Sequence, residues 1–219
     1  LAEMVVKNGA DLGVALDGDA DRLLMVDAAG KTYDGDQLVY IIASHRASKN
    51  ELGGGVVGTQ MTNYGLEQAF ARRGMPFARA KVGDRYVLEI LREKNWLIGG
   101  ENSGHILCLD RHSTGDAIMA ALEVLRALVE GNMSLAEAAA DVTLLPQELI
   151  NVRIDKASPW ADKPAVKAVL AEWETKLVGH GRILLRPSGT EPVVRVMVEA
   201  EDGAMAKAGA AAIAEAVAA

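Results

Sequence analysis

The sequence predicts an α/β protein that closes with a small α+β unit. Two observations carry this. Up to the stretch 142–147, short apolar runs alternate with helical patterns, the rhythm of a mixed sheet flanked by helices. Beyond Pro146 the texture changes to strand, helix, two strands and a final helix, which places a domain boundary between residues 142 and 147. The loops between these runs are short and rich in glycine and polar residues, and they bear on function.

In order, Leu12–Leu16 and Arg22–Asp27 read as strands joined by a tight acidic loop, and Ala28-Ala29-Gly30 as a turn. Gln37–Ala47 has helical periodicity, with Leu38, Ile41, Ile42 and His45 on one side. Gly55–Gly58 is a strand, and Tyr64–Arg73 is a helix stopped by Gly74. Phe77–Val82 is a strand, Tyr86–Lys94 a helix, and Trp96–Ile98 begins the next strand. His105–Leu109 is a strand, and Asp116–Glu130 is an amphipathic helix ended by Gly131. Ser134 and Glu137 form a capping box for Leu135–Ala140. In the last unit Leu149–Ile154 alternates like a half-exposed strand. Asp162–Leu177 is a helix that tolerates Pro164 in its first turn. Ile183–Leu185 and Val193–Val198 are strands, and Ala204–Ala218 is an Ala-rich helix.

With 219 residues, half of them hydrophobic, the chain can form one large core or two small ones. A net charge of −7 argues against a nucleic-acid partner, because phosphate backbones are met by basic surfaces. The single cysteine, Cys108, permits no internal disulfide and suits a reducing, cytoplasmic compartment. No apolar run approaches the ~20 residues of a membrane span, and no signal peptide is visible. A first residue of Leu rather than Met fits a fragment and equally a processed terminus. Cys108 reads as a small buried hydrophobe, His112 and His180 as surface residues, and the three tryptophans as packing or surface groups.

Three loops carry chemistry. Asp17-Gly18-Asp19-Ala20-Asp21-Arg22 follows a strand and places a carboxylate at every second position, a density of hard oxygens that suits Mg²⁺. The plain alternative is a solvated acidic turn. An EF-hand fails, because Arg22 stands where its glycine belongs and Ala28 where its glutamate belongs. Arg22 is placed to contact a phosphoryl group. The second loop is Gly99-Gly100-Glu101-Asn102-Ser103-Gly104-His105. Its glycines suggest close approach to a ligand, Glu101 and Ser103 accept hydrogen bonds from sugar hydroxyls, and His105 is an acid, base or donor. The third, Arg186-Pro187-Ser188-Gly189-Thr190-Glu191-Pro192 with Arg195 beyond it, offers two arginines, two hydroxyls and backbone N–H groups to an anion. Glu191 would fix one arginine, and an ordinary hairpin turn is the plain alternative.

The three loops in this order resemble the α-D-phosphohexomutase superfamily. Gly58-Thr59-Gln60-Met61-Thr62-Asn63-Tyr64-Gly65-Leu66, Lys81-Val82-Gly83-Asp84-Arg85-Tyr86-Val87, Ser113-Thr114-Gly115-Asp116 and Arg195-Val196-Met197-Val198-Glu199 are similar to its phosphoglucosamine mutase branch. That resemblance implies three parts: residues 1–30, the end of the second of four domains, with the metal loop; 31–142, the third domain, with the sugar loop; and 147–219, the fourth, with the phosphate loop. It implies interconversion of glucosamine 6-phosphate and glucosamine 1-phosphate through a phosphoserine enzyme and a bisphosphorylated sugar, a step feeding cell-wall precursors. Mg²⁺ would lie on Asp17, Asp19 and Asp21. Arg22, Lys81 and His105 would serve catalysis, and Asp84, Glu101, Asn102 and Ser103 would bind substrate. Arg186, Ser188, Gly189, Thr190 and Arg195 would hold a phosphate. The partner would be a small sugar phosphate, with neither nucleic acid nor membrane, and a homodimer is open to the full-length enzyme.

One departure is large. The family's reactive serine lies in a Thr-Ala-Ser-His-Asn-Pro-like loop upstream of the metal loop. The nearest string here, Ala43-Ser44-His45-Arg46, follows that loop inside a predicted helix and lacks Asn-Pro. Ser103 belongs to the sugar loop and is not the nucleophile. The chain by itself is therefore expected to be inactive and to bind Mg²⁺ weakly. Rival readings are a phosphomannomutase or phosphoglucomutase fragment and a non-catalytic sugar-phosphate-binding module. A phosphatase of the haloacid dehalogenase type leaves the Ser-Gly-Thr-Glu-Pro loop without a role.

Overall fold

The computed structural model describes residues 1–154, 159–188 and 191–219. They form two compact units, Leu1–Thr143 and Leu144–Ala219. In the first, helix α1 (Ala2–Asn8) precedes an antiparallel sheet of β1 (Leu12–Leu16), β2 (Leu23–Asp27) and β3 (Thr32–Tyr33), in the order β1-β2-β3. The sequence reading did not include α1. At seven residues it is too short to be stable alone. It forms because Val5 packs where Gly13 has no side chain: a Cβ there would lie 2.6 Å from Val5 Cγ2. Gly9, at φ 61, ends it.

Next come α2 (Gly35–Ser48), β4 (Val56–Thr59), α3 (Tyr64–Arg72), β5 (Phe77–Ala80), α4 (Asp84–Lys94), β6 (Ile98–Gly100), β7 (Ile106–Cys108), α5 (Ala117–Gly131) and α6 (Leu135–Ala138). The strands form one sheet in the order β5-β4-β6-β7, with β5, β4 and β6 parallel and β7 antiparallel. All of β4 and β6 is buried, as parallel strands covered on both faces should be. Gly99 and Gly100 lie in β6 rather than in the loop. A Cβ on Gly99 would meet Val87 of α4 at 2.7 Å, and one on Gly100 would meet Val39 of α2 at the same distance. These two glycines let helices close on both faces of the strand, whereas the sequence suggested approach to a ligand. Helix α5 runs through Gly131 and stops at Asn132, which takes the left-handed conformation at φ 49. The Ser134–Glu137 capping box forms as expected.

An ion-pair cluster fastens α2 to α5. Arg46, 1% exposed, donates to Glu123 of α5 at 2.7 and 3.1 Å and to Asp110 at 2.7 Å. Residues 1–30 and 31–142, two domains by resemblance, lie in one compact unit.

The second unit contains β8 (Gln147–Arg153), a 3-10 turn at Trp160–Asp162, α7 (Pro164–Lys176), β9 (Gly181–Pro187), β10 (Val193–Ala200) and α8 (Gly203–Ala218). The predicted helix from Asp162 starts instead at Pro164, whose missing N–H costs nothing in the first turn. The sheet order is β8-β10-β9, all antiparallel. Val194, Val196 and Val198 of the central strand share a core with Ala206, Ala210, Ile213 and Val217, the i, i+4, i+7, i+11 stripe of α8. Burying each such valine is worth roughly 1.5–3 kcal/mol. Gly209 lets α8 approach Trp173, whose ring would lie 3.0 Å from a Cβ there.

Candidate functional site

In the first unit the acidic loop joins β1 to β2. One oxygen from each of Asp17, Asp19 and Asp21 lies within 4.8 Å of the other two. The backbone arranges this. Asp17 Oδ1 accepts the N–H groups of Asp21 and Arg22, both at 3.1 Å. Burial alone would raise the Asp17 pKa, but those hydrogen bonds and the Arg22 charge outweigh it and hold the carboxyl below its usual value. Ala20 sits at φ 57, a left-handed conformation unusual for alanine. Its carbonyl accepts the N–H of Ala117, the first residue of α5, at 3.0 Å. The Arg22 Nε lies 3.8 Å from both Asp17 and Asp21.

The second loop is stitched to the first. Arg22 and His105 form an antiparallel bridge, and the Leu23 N–H donates to the Gly104 carbonyl at 3.0 Å. Gly104 is required there: its φ is 96, and a Cβ would fall 2.2 Å from the Leu23 carbonyl oxygen. The buried His105 ring puts Nδ1 at 3.1 Å from Asp21 Oδ2. Ser103 is exposed and shares a hollow of about 260 Å³ with Asp17, Arg22 and Leu23. Glu101 accepts the Gly83 N–H through Oε1 at 3.0 Å, which leaves Oε2 for a ligand. The exposed Asn102 offers its side chain while its carbonyl accepts the Gly35 N–H at 3.2 Å.

Lys81 follows β5 and Glu101 follows β6, so both stand at carboxyl ends of parallel strands, where open α/β sheets bind ligands. Lys81 and Asp84 are exposed and bond none of the other predicted residues among those described. Ser44 lies within α2, as expected of a helix residue. A separate hollow of about 360 Å³, bordered by Ser44, His45, Lys49, Arg73, Glu130 and Asp141, includes none of the loop residues. No helix of the described residues is long and apolar enough to cross a membrane.

In the second unit Arg186 and Arg195 are directly paired across β9 and β10. Glu191 lies 3.6 Å from the Arg195 guanidinium, as expected, while Arg195 Nε is buried without a hydrogen-bond partner among the described residues. Burial, and then the Arg195 charge, push the Arg186 pKa below the usual arginine value. The Ser188 N–H donates to the Val193 carbonyl at 2.9 Å, and its hydroxyl accepts the Glu191 N–H at 3.3 Å. Gly189 and Thr190 lie outside the described residues.

Two family models match this architecture. Residues 34–144 match the α/β/α domain III of phosphoglucomutase/phosphomannomutase, and residues 149–216 match its C-terminal domain. The chain belongs to the phosphoglucomutase/phosphomannomutase family. Among similar proteins, the phosphoglucosamine mutase of Chromobacterium violaceum is 60% identical over 213 residues, covering 97% of this chain and 47% of that protein. That of Neisseria meningitidis is 57% identical over 217 residues, covering 99% and 48%. The chain thus spans about half the length of the curated relatives it matches. An N-acetylphosphoglucosamine mutase from Aspergillus fumigatus, solved with GlcNAc-6P and magnesium, shares the fold at TM-score 0.73 and 24% identity, over 99% of this chain and 52% of that one. A family member from Burkholderia thailandensis does so at TM-score 0.75 and 21% identity, over 99% and 48%.

The sequence singled out most of the residues that these loops present. It missed Gly83, which orients Glu101; Gly115, which lies against His105; and Ala117, which ties α5 to the acidic loop. All three act through the backbone or by lacking a side chain. The strings Lys81-Val82-Gly83-Asp84 and Ser113-Thr114-Gly115-Asp116, marked by resemblance, contain two of them, but the reading gave neither glycine a task.

Proposed function

We propose that the chain is the C-terminal part of a phosphoglucosamine mutase, interconverting glucosamine 6-phosphate and glucosamine 1-phosphate when joined to the half that carries a reactive serine. The observation that carries this is the trio Asp17, Asp19 and Asp21, converged within 4.8 Å with Arg22 and Ser103 beside it, in a chain 54–60% identical to phosphoglucosamine mutases. The trio fits Mg²⁺: it is all oxygen, and among the described residues Asp21 Oδ1 is buried without a hydrogen-bond partner, with Arg22 Nε 3.8 Å away. When bound, Mg²⁺ supplies charge that offsets the oxygens of a transferring phosphoryl group. Arg22 would orient that group. Glu101, already held on one oxygen, would take a sugar hydroxyl, with Ser103 and Asn102 beside it and Asp84 a further polar contact. Lys81, exposed at a strand end, would move a proton. Phosphoryl transfer is mostly positioning and charge neutralisation, which these fixed groups supply.

A bisphosphorylated sugar needs a second anion site. Arg186, Arg195 and Ser188, with Gly189 and Thr190, would supply it. In this reading residues 1–30 end the second domain, 31–142 are the third and 147–219 the fourth. The enzyme would work in the cytoplasm, with a homodimer as one possible full-length form. The 219 residues contain no Thr-Ala-Ser-His-Asn-Pro-like loop, so the chain should not turn over alone.

The test is calorimetric titration of the chain with glucosamine 6-phosphate and mannose 6-phosphate, beside a mutase assay with Mg²⁺ and a hexose bisphosphate. Binding that favours glucosamine 6-phosphate, with no turnover, is expected. Preference for mannose 6-phosphate would shift the assignment to a phosphomannomutase. Turnover by the purified chain would require a nucleophile among these residues.

A further inference from the structure

We infer that Gln60 is a further sugar-contact residue, held between Lys81 and Glu101 at the carboxyl edge of the parallel strands. The inference rests on the reading of that edge as the sugar site. β4 is the middle one of the three parallel strands, with β5 on one side and β6 on the other. Thr59, which ends β4, is level with Ala80, which ends β5. On the other side Val57 is level with Gly99, and that register, counted on two residues, sets Thr59 level with Glu101. Gln60 is therefore level with Lys81 on one side and with Asn102, next to Glu101, on the other, each one strand spacing of about 4.8 Å away. Its N–H donates to the Ala80 carbonyl at 2.9 Å, so the pairing with β5 continues through this residue. An amide carries both an acceptor and donors, so one side chain there can meet a sugar hydroxyl or an amino group.

The turn that carries Gln60 is tightly fixed and leaves its side chain unused. Thr59 and Thr62, both 0% exposed, bond each other: Thr62 Oγ1 accepts the Thr59 N–H at 2.9 Å, and the Thr59 carbonyl accepts the Thr62 N–H at 3.1 Å. Thr59 Oγ1 accepts the Met61 N–H at 3.1 Å. Gly58 admits this fold-back, since a Cβ there would lie 2.5 Å from Thr62 Oγ1. Arg79, itself bonded to Glu67, donates to the Thr59 and Thr62 carbonyls at 2.9 and 2.7 Å. Asp36 accepts the Asn63 N–H at 2.8 Å. None of these bonds uses the amide of Gln60, which is half-buried. Both threonine hydroxyls are spent inside the turn, so the polar side chain left at this strand end is that of Gln60. A rigid backbone that presents a free polar group is the form of a preorganised contact. The string from Gly58 to Asn63, which the sequence marked without giving it a task, thus becomes the mount of Gln60.

Calorimetric titration of the 219-residue chain with glucosamine 6-phosphate and, separately, with inorganic phosphate tests this in the wild type, Gln60→Leu, Thr62→Val and Glu101→Ala. Leucine keeps the bulk of glutamine and removes its amide. A neutral hydrogen bond is worth about 3–10-fold in affinity, so Gln60→Leu should weaken glucosamine 6-phosphate by that factor. Inorganic phosphate, which has no sugar to hold, should bind the variant as it binds the wild type. Thr62→Val touches no ligand and should weaken glucosamine 6-phosphate by a smaller factor, because it loosens the turn. Circular dichroism melts separate these effects from unfolding; if Thr62→Val does not fold, Gln60→Leu, at a half-exposed position, decides. A wild type that binds glucosamine 6-phosphate no better than inorganic phosphate overturns the sugar-site reading itself, and this inference with it. A wild type that prefers the sugar phosphate, beside a Gln60→Leu variant that keeps the whole preference, overturns the inference alone; loss of the preference in Glu101→Ala then leaves the site standing without Gln60. Equal losses for both ligands in Gln60→Leu also overturn it, because a sugar contact does not act on free phosphate.

Discussion

Arg186 and Arg195 face each other as direct partners in the β9–β10 ladder, two cations where a sheet would ordinarily place unlike charges. Among the described residues Arg195 has only the looser Glu191 contact at 3.6 Å, and its Nε is buried without a hydrogen-bond partner there. A bound dianion would relieve the repulsion and satisfy that donor. Phosphate or sulfate should therefore raise the melting temperature of the chain, less so as ionic strength rises. Each charge-assisted hydrogen bond is worth roughly 1.5–3 kcal/mol, reduced by solvent at this half-exposed site. Titration with glucosamine 6-phosphate at fixed ionic strength should rank wild type above Arg186→Lys and Arg186→Lys above Arg186→Ala, since lysine keeps the charge and loses the fork. Equal affinities in all three would leave the segment as a hairpin turn.

Three carboxylates within 4.8 Å repel one another when no cation lies between them. Asp19 is exposed, whereas Asp17 is engaged with the backbone and Asp21 with His105. Asp19→Asn should consequently raise the melting temperature of the metal-free chain slightly and weaken Mn²⁺ binding by about tenfold or more. The opposed signs separate a metal loop from a solvated acidic turn. A variant that binds Mn²⁺ as the wild type does would make the loop a turn.

The elements were legible wherever their pattern was local. The alternation of strands and helices from Leu12 to Ala218 emerged near its expected positions, because apolar period and glycine stops act over a few residues. Helix α1 was not legible: Ala2–Asn8 is held by Val5 fitting over Gly13, a contact that no local pattern announces. The acidic loop was legible as a cluster because its three carboxylates are two residues apart. The His105–Asp21 hydrogen bond spans 84 residues, and the close approach of Gly115 to the His105 ring depends on the absence of a side chain, so neither contact could be read locally, although the Ser113–Asp116 string was marked by resemblance. Gly99 and Gly100 misled for the same reason, since a glycine that admits a helix and one that admits a ligand are spelled alike.

Arg46 supplies a stability prediction. Its side chain is 1% exposed and bonds Glu123, itself 8% exposed, as well as Asp110. Removing the arginine strands the Glu123 carboxylate in the interior, a change that typically costs about 3–5 kcal/mol. Arg111, 3.2 Å from the other Glu123 oxygen, should keep Arg46→Ala toward the lower end. The double variant Arg46→Met, Glu123→Leu should recover much of the loss, because well-packed apolar residues often replace a buried ion pair without penalty. Urea unfolding of the wild type and both variants measures this. A single variant within experimental error of the wild type would mean that the cluster contributes nothing to holding α2 on α5.

Glu130 sets an acid-sensitive window. Arg126 at 2.9 Å, Lys49 at 3.2 Å and His45 at 3.0 Å surround its carboxylate and hold its pKa down to about 2 from an ordinary 4.5, against the opposing effect of burial. A carboxyl with a depressed folded-state pKa binds its proton more readily in the unfolded chain. Its contribution to stability is therefore complete above pH 4.5 and is lost as the pH falls from there to about 2. Glu130→Gln removes that dependence and should flatten this part of the stability curve, while lowering stability near neutral pH. The group is exposed, so high salt should shrink the difference between the two proteins. Urea midpoints for wild type and Glu130→Gln, followed across the window at low and high salt, check the sign. The wild type should lose more stability on acidification than the variant; equal losses would mean that the ion pairs around Glu130 do not persist in solution.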